Sequence, residues 1–244
     1  MTYCVAIKLD SGMLFAADSR TNAGVDHIAT FSKMRIFEQK DERMFVILSS
    51  GNLSVTQAVM HILDRHKHFE TDKESIWNVS SLFDVATLVG DALRDIQRRD
   101  GPYLAQSNIE FSATLLLGGQ IKGEEPRLFN IYAQGNFIEA LSDTMYFQVG
   151  ESKYGKPILD RVLSSATPYQ EAAKCALISF DSTIRSNISV GLPIDLAWYP
   201  RDSLRMGMQK RIGEGDPYFS MIRQSWGSGM RKLFAELPNP DWLS

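Results

Sequence analysis

The sequence predicts an α+β fold, a four-layer αββα sandwich of two antiparallel sheets lying face to face with helices on both outer sides. Three observations carry that expectation. Apolar residues recur with period two in many short runs, the mark of strands. Apolar stripes at helical spacing fall between those runs, mostly in pairs. The resulting order is strands, two helices, strands, two helices, strands and one helix, and a sandwich of this kind uses every apolar face it presents.

The first run is Thr2–Lys8, where Tyr3, Val5 and Ile7 alternate with Thr2, Cys4, Ala6 and Lys8. Asp10-Ser11-Gly12 supplies turn chemistry, and Met13–Ala17 returns as the second strand of a hairpin. Lys33–Phe37 and Met44–Leu48 form a second pair, joined by polar Gln39–Glu42. Ser54-Val55-Thr56-Gln57 matches a capping box, and Val55, Ala58, Val59, Ile62 and Leu63 mark the face of the helix behind it. Ser81 opens a second helix with the stripe Leu82, Val85, Ala86, Val89, Leu93 and Ile96. Strands are expected at Ile109–Leu117, Arg127–Ala133, Asn136–Leu141 and Met145–Val149, with Gly101–Ser107 and Gln120–Pro126 as loops. Helices follow near Gly155–Leu163 and from Thr167-Pro168-Tyr169-Gln170, which reads as cap, first-turn proline and box-closing glutamine. Strands return at Ile194–Tyr199 and near Met206–Ile212. Asp216-Pro217 then begins a last helix carrying Tyr218, Phe219, Ile222, Trp226, Met230, Leu233 and Phe234.

No linker, low-complexity tract or solenoid repeat interrupts this order, so residues 1–244 are expected to form one domain, with the helix at about 216–236 available for subunit packing. A composition of 44% hydrophobic and 23% charged residues supports a sizeable core. A net charge of −3 gives no electrostatic reason to expect nucleic acid or an anionic membrane. No apolar run approaches the roughly 18–20 residues of a membrane span. No secretory signal is visible, because the start alternates instead of forming an apolar block. Cys4 and Cys175 are the only cysteines, which suits a reducing cytoplasm.

The fold is therefore expected to begin at residue 2, on a threonine. A threonine hydroxyl is a poor nucleophile until a base stands beside it, and the α-amine of an N-terminal threonine is such a base. Its pKa of about 7.7–8.0 leaves a good fraction neutral near pH 7. Removal of Met1, common before a small residue, would place nucleophile and base together on Thr2. Taken singly, neighbouring signals are open to plainer readings. Asp18 could be a turn aspartate, Lys33 a strand-edge lysine that protects a sheet from aggregation, and Gly51 a helix-entry glycine.

Taken together, Thr2 on strand one, FAADSR ending strand two, FSKMRIF opening strand three and SSGNLSVTQ before a helix resemble a proteasome β subunit of the N-terminal-nucleophile hydrolase superfamily. The opening TYCVAIKLDSG and FAADSRTNAGVD more specifically resemble the bacterial proteasome-like Anbu (ancestral β subunit) group. The resemblance covers nearly the whole chain and is tightest in its first 70 residues. It implies that Thr2 is the nucleophile, that Lys33 eases deprotonation of its hydroxyl, and that Asp18 orients and pairs with that lysine. Burial and a nearby α-ammonium would favour a neutral Lys33. Gly51 falls where the family offers a backbone N–H to the oxyanion, Thr21 where its backbone pairs with substrate, and Ser49 where it lines the main specificity pocket. The resemblance further implies a homo-oligomer, ring-like or helical, acting on peptide or unfolded protein, with no metal or organic cofactor. An ATPase partner is left open.

Two stretches depart from the family pattern. Its late Gly-Ser-Gly appears as Gly150-Glu151-Ser152, so either Glu151 replaces the serine or Ser152 supplies it one residue later. Its Asp-x-x-Ser-Gly-Gly appears as Ser186-Asn187-Ile188-Ser189-Val190-Gly191, keeping Ser189 but replacing the aspartate with Ser186. These departures touch groups that tune the terminus and leave Thr2, Asp18 and Lys33 in place. They keep two alternatives to a threonine endopeptidase in view: a catalytically weak assembly scaffold, and an amidase acting on a non-peptide or isopeptide amide.

Other signals read as structural. His61, His66 and His68 lack the spacing of a helical zinc pair and mark a polar helix end. Cys4 is a small buried hydrophobe. Arg94, Arg98 and Arg99 with Asp95 and Asp100 form a solvated, salt-bridged helix end. Gly118-Gly119 is a turn and no phosphate loop, since no Lys-Ser/Thr follows. The aromatic stripe of the last helix reads as core, with packing on a neighbouring subunit as its other use.

Overall fold

The computed structural model describes residues 2–22, 28–65 and 73–243; Met1, His66 and His68 lie outside the described residues. The strands, in chain order, are β1 (Tyr3–Leu9), β2 (Gly12–Asp18), β3 (Arg20–Asn22), β4 (Ile28–Thr30), β5 (Met34–Gln39), β6 (Arg43–Gly51), β7 (Ala113–Ile121), β8 (Arg127–Ile131), β9 (Phe137–Glu139), β10 (Tyr146–Gly150), β11 (Ile194–Pro200) and β12 (Met208–Ile212). The helices are α1 (Leu53–Arg65), α2 (Leu82–Gln106), α3 (Lys156–Val162), α4 (Tyr169–Ser186) and α5 (Pro217–Glu236).

One five-stranded sheet has the order β10-β1-β2-β11-β12, the other β5-β6-β7-β8-β9, and β3-β4 forms a separate two-stranded ribbon. All pairings are antiparallel. Three apolar clusters define the layers. Cys4, Ala6, Met13 and Phe15 of one sheet meet Met44, Val46, Leu48 and Leu116 of the other. Phe45, Ile47, Leu115 and Leu117 face the Val55, Val59, Leu82, Val89 and Leu93 stripes of α1 and α2. Tyr3, Val5 and Ile7 face Ala172, Cys175, Ala176 and Phe180 of α4. The period-two pattern of β1 thus sorts its residues between two cores, since both faces are buried. The αββα sandwich is the architecture the element order predicts.

Several local readings are corrected. Asn52, and not Ser54, caps α1: its Oδ1 accepts from the Ser54 N–H at 3.0 Å and from the Ser54 hydroxyl at 2.8 Å. Thr167 does not cap α4, because its hydroxyl turns back to accept from the Ser164 N–H at 2.8 Å. Ser81 does cap α2, accepting from the Asp84 N–H. Gly101–Ser107 is no loop up to Gln106: α2 runs on through Gly101 and Pro102 on a largely exposed stretch. The strand expected from Ile109 starts later, at Ala113, and takes in Gln120 and Ile121.

Gly118-Gly119 is strand, not turn. A Cβ at Gly118 would lie 2.6 Å from Met13 Cε and 2.8 Å from Phe15 Cε1 of the opposite sheet, so the missing side chain sets how closely the sheets approach. The last helix buries only Phe219 and Ile222; Tyr218, Met221, Met230, Leu233 and Phe234 are exposed. Its stripe is therefore mostly surface, because the residues α5 buries, Phe219 and Ile222, both lie in its first two turns. Among the described residues, no helix is long and apolar enough to cross a membrane.

Candidate active site

Thr2 lies at the open end of β1, where that strand is bracketed by β2 and β10. It is buried, at 7% exposure. Its carbonyl accepts from the Glu151 N–H at 2.7 Å. The bracket is tight, because a Cβ on Gly150 would sit 1.9 Å from Thr2 O, and Gly150 holds φ +83°. Glycine meets both demands there.

Asp18 ends β2 next to this position. Its Oδ1 accepts from the Tyr3 N–H at 2.9 Å and from Lys33 Nζ at 2.7 Å. Asp18 is fully buried and Lys33 is 8% exposed. Lys33 also donates to Arg20 O at 2.7 Å, tying the first residue of β3 to the same point. One carboxylate oxygen thus gathers the residue after Thr2 and the lysine before β5. Burial pushes the Asp18 carboxyl above its ordinary value, and the Lys33 ammonium pulls against that shift. The ion pair is worth holding only because each charge has further partners.

Ser49 stands on the other side of Lys33, its N–H donating to Lys33 O at 2.9 Å. Gly51 ends β6 opposite Ala113 at φ +115°, and a Cβ there would lie 2.3 Å from Ser112 O. Thr21 lies in the middle of β3, paired with Ala29 of β4. Cys4 is fully buried, its Sγ directed at Ser49 O at 3.7 Å, and burial pushes its thiol far up, so it stays a protonated core residue.

The two departing stretches separate here. Glu151 meets Thr2 through its backbone N–H, and its half-buried carboxylate lies 3.9 Å from Lys153. Ser152 starts a single helical turn, Ser152–Tyr154, and its carbonyl accepts from Gln148. Ser189 is half-buried in the loop after α4, its N–H donating to Asn187 Oδ1 at 2.9 Å. Ser186 is the exposed last residue of α4. Among the described residues no hydrogen bond joins Ser186 or Ser189 to Thr2, Asp18 or Lys33. That loop is instead held by Arg20, whose guanidinium donates to Ile188 O at 2.9 Å, and by Ser19, which donates to Pro193 O at 2.6 Å.

Sequence reading missed one network below the site. Tyr3 OH lies 2.5 Å from Ser179 Oγ of α4 and accepts from Gln148 of β10, and its ring packs 4.6 Å from Phe180. It fixes the residue next to Thr2 from beneath. Nothing local marks it, since Tyr3 lies more than a hundred residues from both of its partners. Arg20 also went unread, although it follows Asp18 by two residues in the same motif.

No family model matches the chain. Among curated proteins, proteasome subunit beta 2 of Nitrosopumilus maritimus (strain SCM1) is 27% identical over 209 residues, 84% of this chain and 89% of that protein. Solved structures are nearer. Anbu (ancestral beta-subunit) from Yersinia bercovieri is 54% identical with a TM-score of 0.92, covering 98% of this chain and 99% of that one. The helical assembly of the Anbu complex from Pseudomonas aeruginosa is 49% identical with a TM-score of 0.92, covering 98% of each. Anbu from Hyphomicrobium sp. strain MC1 is 47% identical with a TM-score of 0.90, covering 98% and 99%. Identity at this level over the full length, with the two sheets and their helices in the same arrangement, carries more than a shared architecture: the chain belongs to the Anbu (ancestral β-subunit) family, proteasome-like proteins of the N-terminal-nucleophile hydrolase fold.

Proposed function

We propose that the protein is a threonine-type peptidase subunit with Thr2 as its nucleophile once Met1 is removed. The observation that supports this best is the buried Asp18 oxygen that holds both the Tyr3 N–H and the Lys33 ammonium beside Thr2. In this reading the Thr2 hydroxyl attacks a peptide carbonyl carbon, and its proton passes to the α-amine, directly or through a water. Lys33, paired as an ammonium with Asp18 and not the neutral base expected from the sequence, stabilises the developing alkoxide electrostatically, and Asp18 keeps it in position. The Gly51 N–H donates to the tetrahedral oxyanion. The C–N bond then breaks, the leaving amine takes the proton, and an ester on Thr2 remains. Water attacks that ester, releases a carboxylate and restores the hydroxyl. Thr21 pairs with the substrate strand and Ser49 lines the pocket beside it. Glu151 shapes the surroundings of the terminus through its backbone N–H, and Ser189 is left to act on it only through the loop after α4.

We further propose that residues 1–244 act as one unit in a homo-oligomer in the cytoplasm, on peptide or unfolded protein. The apolar face left exposed on α5 supports this, as does the helical assembly of the Pseudomonas relative. A closed ring and an open helix differ only in whether a head-to-tail contact closes. A second reading, a scaffold with little peptidase activity, draws on Ser186, which stands exposed where the family has its aspartate.

The test is an intact mass before and after incubation with a peptide epoxyketone, a warhead that needs both the threonine hydroxyl and its free amine. Loss of Met1 followed by addition of one inhibitor is the expected outcome. A mature, folded protein that takes no adduct sends the reading to the scaffold. Labelling should rise with pH through about 7.7–8.0 as the α-amine loses its proton.

A further inference from the structure

A cavity of about 330 Å³ opens beside Lys33, between α1 and the adjoining ends of β5 and β6. Ser49 leaves it open near Lys33; Met34, Ile47, Leu53 and Met60 give it an apolar wall, and Ser32, Gln57 and His61 line its polar side. Two sequence patterns build it. On α1, Thr56, Met60 and Asp64 recur at four-residue spacing and face the cavity, while Val55, Val59 and Leu63 face the core. On β5, Arg35 stands opposite Ile47. Arg35 and Asp64 meet across the cavity as an ion pair, with side chains 55% and 33% exposed.

Asp64 occupies the last turn of α1, where the carbonyl end of the helix dipole disfavours a carboxylate and makes a cation welcome. Arg35 is the cation present, and a lysine or arginine side chain entering the cavity would serve the same carboxylate. With Arg35 in place the charges here are matched, Lys33 by Asp18 and Asp64 by Arg35. A charged side chain that leaves water for a cavity whose carboxylate and ammonium groups are already paired is disfavoured.

We propose that this cavity selects a neutral, elongated apolar side chain of the leucine or methionine class, and that Arg35 is the residue that withholds Asp64 from basic side chains. The inference rests on the peptidase reading for its placement at a scissile bond. It makes Arg35 a specificity residue whose removal redirects the pocket.

The experiment compares epoxyketones ending in leucine, lysine and glutamate, with labelling rates read by intact mass. The wild type is expected to react about tenfold faster with the leucine probe than with either charged one. Arg35→Ala should raise the ratio of the lysine rate to the leucine rate about tenfold, and adding Asp64→Asn should remove that gain. Equal rates for the three probes in the wild type, or no gain for lysine in Arg35→Ala, overturn the proposal. A parallel measurement uses the Thr2→Ala background and binding of N-acetyl tripeptide amides with the same three terminal residues, followed by NMR. If no probe labels the protein yet binding shows the same order and the same switch, the pocket assignment stands and the peptidase reading falls. If labelling occurs without order or switch, the peptidase reading stands and the pocket assignment falls. If neither labelling nor binding shows the order, both fall.

Discussion

Strand β1 and helix α5 lie at opposite ends of the chain, and both carry closely spaced large apolar residues. In β1 every such residue is enclosed: Tyr3, Val5 and Ile7 against α4, Cys4 and Ala6 against the second sheet. In α5 only Phe219 and Ile222 are enclosed, while Leu233 is 62% and Phe234 79% exposed. Strand β1 therefore draws its stability from within the subunit. Much of the apolar face of α5 gains nothing there, and exposed apolar surface of this kind marks a contact site. Under the proposed function the two regions do different work, chemistry at the enclosed end and association at the exposed one. Substitutions at one end should spare the property that depends on the other.

The largest expected effect is at the enclosed end. Asp18→Ala leaves the Lys33 ammonium buried with only the Arg20 carbonyl and releases the Tyr3 N–H, so it should destabilise the subunit by about 3–5 kcal/mol. Urea denaturation measures this, and a loss under about 1 kcal/mol would show that water takes over the role of the carboxylate. Next comes a contrast inside α5. Phe219→Ala removes a ring that is 2% exposed and should cost about 3–5 kcal/mol. Phe234→Ala should stay within about 0.5 kcal/mol of wild type in a monomeric state while lowering the mass seen by analytical ultracentrifugation. If Phe234→Ala leaves assembly untouched, the division of labour between the two ends fails.

The same contrast explains what was legible in the sequence. The meeting of Asp18 and Lys33 beside Thr2 could be read because each of the three sits at a strand end set by local patterning, and the fold brings those ends to one carboxylate. The layer order could be read because each apolar face needs a partner. The α5 stripe was misread because periodicity says that a face is apolar and says nothing of what covers it. Gly118-Gly119 was misread for a related reason. Two adjacent glycines are the usual sign of a turn, and here one is dictated by side chains on another sheet. The Tyr3–Ser179–Gln148 network and the Arg35–Asp64 pair have no local signature, since each joins residues far apart in the chain. The caps on α1 and α4 failed by small shifts, Asn52 doing what Ser54 was expected to do and Thr167 serving its own turn instead.

Between the two ends, Gly118 tests how tightly the sheets that shelter Thr2 are matched. Gly118→Val would press methyl groups on Met13 and Phe15 and should cost about 1–3 kcal/mol, read as a lower denaturation midpoint at unchanged slope. Thr2 should still be labelled in the folded fraction, because the clash lies toward the far end of β2.

The smallest effect lies at the start of α5 and concerns how a poorly covered helix is held. The Asp216 side chain accepts from the Phe219 N–H at 2.9 Å, and that hydrogen bond holds its carboxyl below the usual range, with Lys210 adding to it. A carboxyl whose folded value is lowered contributes stability above its unfolded value, near pH 3.9, and loses it as pH falls through the folded one. Asp216→Ala should therefore cost about 1 kcal/mol at neutral pH. Asp216→Asn keeps an acceptor for Phe219, so its smaller deficit isolates the charge and should vanish on acidification. Because α5 beyond Ile222 has little packing to support it, the loss should appear as faster amide exchange along α5 while β1 stays protected. The matching change Ser81→Ala, on a helix whose buried stripe runs from Leu82 to Ile96, should raise exchange only in the first turn of α2. Equal spreading of exchange in the two helices would mean that α5 is held within the subunit as firmly as α2, and the contrast between enclosed and exposed ends would have to be given up.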